Sequence, residues 1–187
     1  MDSLVEASRS GRFGNQDYSL IYNFLATGGY RQTDYDSALS AVKAQRSLIE
    51  NVIEETISLS KTWDWAFKIF EKYEITFTLY GTGGSYDPDS GLITLFTTTD
   101  GKFMNYENPA NTIIHEFVHL GMEESIVQKY NLSHQIKESL VDRFVYLLYG
   151  KYLPDYKIQN MGNIEMDRII ASKNDLAELE KFFPLQE

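Results

Sequence analysis

The chain contains no cysteine, so it has neither a disulfide framework nor thiol chemistry, and redox logic assigns it no compartment. It has no apolar run of 18 residues, so no membrane-spanning helix and no membrane insertion are expected. The start, "MDSLVEASRSGRFGNQDYSL", lacks a basic region followed by an apolar stretch. No signal peptide is expected in the chain as given, although one cut away before this start would leave the same sequence. Basic residues are scarce: 17 Lys+Arg against 27 Asp+Glu give a formal charge of -10, which repels phosphate backbones and anionic lipid. No nucleic-acid partner is therefore expected. Internal repeats, low-complexity runs and linkers are also missing, and 187 residues suit one soluble domain with a sizeable core.

Apolar residues make up 43% and charged residues 24%, as in ordinary globular proteins, while 13 Tyr and 11 Phe raise the aromatic share to 14%. From Asp17 to Ala26, Leu20, Ile21, Phe24 and Leu25 make a short helix, packed as an arm and ended by Gly28 and Gly29. A longer helix, capped by Asp34 or Asp36, runs to about Ser60 with Ala38, Val42, Ile49, Val52, Ile53 and Ile57 on one face. Thr62 to about Lys72 reads as a shorter helix, although Trp65, Phe67 and Ile69 also fit strand alternation.

"YEITFTLYG" and "GLITLFTTT" read as two strands of a hairpin joined by "GTGGSYDPDS". Asn108 and Pro109 open a helix that Gly121 stops. Ser133 opens another, closed by Gly150, with Ile136, Leu140, Phe144 and Leu147 as its apolar stripe. A last helical pattern covers about Ile164 to Phe182. The expected class is α+β, with helices packed on a small, mainly antiparallel sheet. One domain spans 1–187: an N-terminal arm over 1–35, a core over 36–150 and a C-terminal helical extension over 151–187.

Two of the three histidines fall in "IIHEFVHLG", residues 113 to 121. Residues four apart on a helix lie one above the other, so His115 and His119 can aim ring nitrogens at one point, with Glu116 beside it. Two neutral imidazoles are good zinc ligands, and an adjacent carboxylate that stays off the metal can take a proton from water. Chance is a weak competitor. With three His and 15 Glu in 187 positions, random placement gives this pattern on the order of once in a few hundred sequences.

A hydrolytic zinc site takes three protein ligands and keeps a fourth position open. Glu123 or Glu124 would serve only if the chain folded back sharply after Gly121. His134 is chemically suitable, but an isolated His at a helix start is usually a solvated polar residue. Glu138 lies inside the second helix, with Asp142 one turn on along the same face. The bland reading of that pair is a solvated face. Its surroundings in "SLVDRFVYLLYG" are apolar nearly all round, however, and buried acids need partners.

"HEFVH" followed after eighteen residues by "ESLVD" resembles the gluzincins, zinc metallopeptidases whose H-E-x-x-H helix is followed by a helix carrying a glutamate ligand. The resemblance implies a compact zincin-like metallopeptidase domain holding one zinc per chain. By it, His115, His119 and Glu138 are ligands, Glu116 is the general base, and Asp142 orients a ligand histidine. "GGSYDPDSGLITLFT" is similar to the part of zincin domains where a strand borders the cleft and pairs with extended peptide. Metzincins fit less well, because Ser125 stands where their third histidine would be. Tyr130 and His134, with Tyr146 and Tyr149, are the candidates for stabilising the oxyanion.

The resemblance thus implies a zinc-dependent peptidase acting on peptide or protein substrates. The alternative is a catalytically silent, zincin-like module that binds peptide or protein. Intact Glu116 favours the enzyme, since a silent module has little reason to keep the base.

Overall fold

A computed structural model describes residues 12, 14–29, 31–79, 83–98, 100–103, 107–158 and 164–183. Most of the opening stretch read for a signal, and Tyr80 at the end of the first strand pattern, lie outside the described residues. Helix α1 (Tyr18–Phe24) runs into a π-turn over Leu25–Gly29. Of the apolar residues expected to pack the arm, Leu20 is exposed and Ile21 half-buried, while the side chains of Phe24 and Leu25 lie outside the described residues.

Helices α2 (Gln32–Ala44) and α3 (Arg46–Ser60) replace the single helix expected here. The break is at Gln45, and α2 starts after Arg31 rather than at an aspartate cap. Asp34 instead lies in the first turn, 2.7 Å from Arg31 Nε. Ala38 and Val52 still face the core, as the apolar stripe requires.

Residues 62 to 72 form no helix, which corrects the expected element there. Tertiary anchors hold this segment open. The Asp64 and Lys68 amides donate to the carbonyls of Ala177 and Gly121, and Trp65 Nε1 donates to the Leu176 carbonyl at 2.8 Å. Burying Trp65 and Phe67 in one aromatic cluster with Phe117 and Phe144 outweighs what local helix bonds would contribute.

The sheet has three strands, β1 (Glu74–Thr78), β2 (Gly84–Asp87) and β3 (Leu92–Phe96), in the order β1-β3-β2. The two strands read from sequence are both present but run parallel, with Ile75 opposite Ile93. β2 arises from the stretch taken as their connection and pairs antiparallel with β3, Tyr86 opposite Ile93. The sheet is therefore mixed rather than mainly antiparallel. β2 forms one edge. Ile93 and Leu95 turn inward from β3 to the core.

Helix α4 (Pro109–Met122) crosses this core, and every one of its residues is buried. Asn108 caps it by accepting from the Ala110 amide at 2.9 Å. It does not stop at Gly121 but continues to Met122 and then through a π-turn over Glu123–Gln128. Gly121 serves packing instead: a Cβ there would stand 2.0 Å from Phe67 Cζ. Helix α5 (His134–Tyr149), capped by Ser133, packs against α4 and buries both Glu138 and Asp142. The last helical pattern divides into α6 (Ile164–Ile169), α7 (Lys173–Ala177) and a 3-10 turn over Leu179–Phe182, because Ser172 starts α7 with its own capping box. Seven α-helices and a small mixed sheet make an α+β architecture among the described residues. None of these helices is long and apolar enough to cross a membrane.

Candidate metal centre

A helix apolar on nearly all sides can carry His115, Glu116 and His119 in its interior only if their polar atoms find partners. Four-residue spacing puts both imidazoles on one side of α4. Packing α5 against that side brings Glu138 to them. The three ligand-capable atoms converge: His115 Nε2 to His119 Nε2 is 3.0 Å, His119 Nε2 to Glu138 Oε2 is 3.2 Å, and His115 Nε2 to Glu138 Oε2 is 3.3 Å. Tetrahedral zinc with bonds of about 2.0–2.1 Å spaces its ligand atoms by roughly 3.3 Å, so these residues fit a divalent ion of that size. Two imidazoles and one carboxylate are also a donor set such ions accept.

Tyr156 completes one side of the cluster. Its hydroxyl donates to Asp142 Oδ1 at 2.6 Å, which leaves its oxygen to accept from His115 Nδ1 at 2.7 Å. With the proton on Nδ1, Nε2 presents a lone pair to the centre. Asp142 itself stands 3.5 Å from His115 Nδ1 and reaches that ring chiefly through the tyrosine. His119 is held differently. Its Nδ1 is buried without a hydrogen-bond partner among the described residues, and its ring stacks on Tyr86 at 5.0 Å and 11°.

In the metal-free site His115 is a cation near neutrality and presents that lone pair only once it loses a proton. Burial penalises the His115 imidazolium, but the nearby Asp142 and Glu138 carboxylates outweigh that and raise its pKa to about 9. Burial pushes His119 down to about 4, helped by the charge on its neighbour His115. Burial would raise Glu138, yet hydrogen bonds from both histidines hold it well below the usual carboxylate range. Glu116 accepts no such bond. Burial raises it to about 7, with His115 opposing and Glu138 reinforcing the shift.

A cleft of about 520 Å³ opens on these residues, lined by His115, Glu116, His119 and Glu138 from the helices and by Gly83 to Tyr86 from β2 and its approach. The stretch likened to a cleft-bordering strand does border one, but through β2, in the part read as a connection, and not through β3. Gly84 permits its close passage, since a Cβ there would meet Thr112 Cγ2 at 2.5 Å and Glu116 Oε1 at 2.6 Å.

The other sequence candidates separate. His134 lines the cleft, its side chain 68% exposed and its Nδ1 3.5 Å from Glu138 Oε1. Glu123 also lines the cleft and accepts from the Tyr86 hydroxyl at 2.6 Å, while Glu124 pairs with Lys68 at 3.6 Å. Tyr130 packs on Phe183, Tyr146 lies under Arg143, and Tyr149 bonds Thr56, so none of these three is among the residues lining the cleft. Sequence reasoning missed Tyr156, Tyr86, Lys137 and Gly84. Only Lys137 carried a local signal, its place directly before Glu138. Comparisons with protein-family models, with curated proteins and with solved structures give no match, so the centre is read from its own geometry.

Proposed function

We propose that this chain is a zinc-dependent peptidase of gluzincin type, with His115, His119 and Glu138 as ligands and Glu116 as general base. The observation that carries the reading is the convergence of two imidazole nitrogens and one carboxylate oxygen in a cleft that Glu116 shares. When bound, zinc would supply a Lewis acid that polarises a carbonyl and acidifies water. The remaining work belongs to side chains.

Glu116, which directly follows His115 on α4 and lines the same cleft, is placed to exchange a proton with water held there. It takes one proton from a water molecule whose oxygen bonds to the carbonyl carbon, and the carbonyl π pair moves onto its oxygen. When that pair returns, the C–N bond breaks and Glu116 passes its proton to the amine nitrogen. The products are a carboxylic acid and an amine, and Glu116 ends as it began. β2 offers the substrate main chain an open edge beside the centre, which favours an extended peptide over a compact small molecule.

Glu116→Gln keeps the side-chain shape but cannot take the proton. Assayed against a peptide library, the zinc-loaded variant should be slower by on the order of 10²-fold to 10⁴-fold with one zinc still bound. A fully active glutamine variant would exclude the mechanism. A zinc-loaded wild type that binds peptides and cleaves none would instead establish a silent peptide-binding module.

A further inference from the structure

Addition of water to a carbonyl leaves a negative oxygen, and none of the residues placed so far receives it. We propose that Lys137 is the missing catalytic residue, its ammonium donating to the carbonyl oxygen as negative charge gathers there. The assignment rests on the peptidase reading and adds to it a residue on the face of α5 that meets the cleft.

Tyr86, His134 and Lys137 all line this cleft and could each supply a donor. Tyr86 has one hydroxyl proton, and it is given to Glu123 Oε2 at 2.6 Å. His134 opens α5 with a side chain 68% exposed, so ordering it against a ligand costs conformational entropy. Lys137 has neither handicap. Its side chain is only 19% exposed, and its Nζ donates to the Tyr86 hydroxyl at 3.1 Å.

An ammonium carries three protons. One points to Tyr86 and a second faces Glu138 Oε1 at 3.8 Å, the carboxylate oxygen turned away from His115 and His119, which leaves a third for a ligand oxygen. The anchoring partner is itself anchored, because the Tyr86 ring stacks on His119 and its hydroxyl is tied to Glu123. The position of the charge is thereby coupled to the ligand set. A cation fixed before reaction stabilises developing charge without reorganising, which is how oxyanion donors act. Lys137 gives up no proton in the step; the pair that forms the oxyanion returns to carbon when the C–N bond breaks.

The test uses zinc-loaded protein and two probes, a phosphinic tripeptide, whose tetrahedral P–O⁻ imitates the oxyanion, and the matching tripeptide amide. Lys137→Met and Lys137→Gln should keep one zinc per chain and the wild-type melting temperature. Both should bind the phosphinic probe at least about 10-fold more weakly, bind the amide within a few-fold of wild type, and lose on the order of 10²-fold in kcat with little change in KM. Lys137→Arg should recover part of the phosphinic affinity. Either charge-removing variant, once shown to be folded and zinc-loaded, overturns the proposal by binding the phosphinic probe as tightly as wild type. A wild type that ignores this probe overturns it as well. Should the phosphinic probe bind in a Lys137-dependent way while no peptide is hydrolysed, the peptidase reading fails and the oxyanion site stands.

Discussion

Tyr156 Oη lies 2.7 Å from His115 Nδ1, a contact made across 41 positions of sequence. The hydroxyl gives its own proton to Asp142, so it fixes which ring nitrogen of His115 keeps its hydrogen and which faces the centre. Tyr156→Phe removes that relay while keeping most of the ring's packing. Zinc affinity, measured by competition with a fluorescent chelator, should fall by roughly 10-fold, and Asp142→Asn should fall in the same direction. Unchanged affinity in the phenylalanine variant would mean that Asp142 alone orients the ring.

Glu138 and His134 offer the sharpest comparison of ligands. Glu138→Ala leaves two buried imidazoles without their carboxylate and should abolish stoichiometric zinc, whereas His134→Ala, on an exposed side chain, should retain it. Elemental analysis after gel filtration in chelator-treated buffer decides the matter. The reverse pattern would make His134 the third ligand.

In the metal-free protein, raising His115 from 6.5 to about 9 means that the ring carries a proton at pH 7 which a metal must displace. Zinc uptake at pH 7 should therefore release about one proton, and affinity should climb with pH until about 9, then level off. Calorimetry in buffers of different ionisation enthalpy counts the proton. The same shift contributes stability to the metal-free fold that is fully present below pH 6.5 and is lost as pH rises through about 9. Zinc uptake without proton release would show that His115 is already neutral.

Gly84→Ala places a methyl group 2.6 Å from Glu116 Oε1 and 2.5 Å from Thr112 Cγ2, too close for either to stay where it is. Either the strand lifts or the carboxylate moves, and both disturb Glu116 without touching His115, His119 or Glu138. Peptide hydrolysis should drop by about 10-fold or more with zinc content intact, since misplacing a catalytic group by about 1 Å is enough for such losses. Wild-type turnover in this variant would separate the strand from the chemistry.

Gly121→Ala drives a methyl group into the Phe67 ring inside the aromatic cluster. Overpacking of this kind costs about 1–3 kcal/mol. In a chain of this size each kcal/mol lowers the melting temperature by about 2–4 °C. Phe67→Leu in the alanine background should restore part of the loss. An unshifted melting curve for Gly121→Ala would contradict the packing role.

The helices around the centre were legible because their signals are local. Asn108 and Ser133 cap the helices they precede, and the four-residue spacing of His115 and His119 is a property of any α-helix. The apolar flanks of Glu138 and Asp142 announced a buried face, and both side chains are buried. Where local signals competed with distant partners, they misled. Residues 62 to 72 carry helical periodicity but are pulled open by bonds to Gly121, Leu176 and Ala177, and glycine at 121 marks an aromatic contact instead of a helix end.

By itself, then, the sequence determined which residues could chelate and on which helices they sit, because helical spacing needs no knowledge of the rest of the chain. Tertiary structure alone decided that β1 and β3 run parallel, that the stretch between them supplies the edge strand over Glu116, and that Tyr86, Lys137 and Tyr156 gather around His115, His119 and Glu138. Those relations join residues tens of positions apart. They are set by which surfaces bury one another when the helices meet the sheet, and no short-range periodicity encodes that choice.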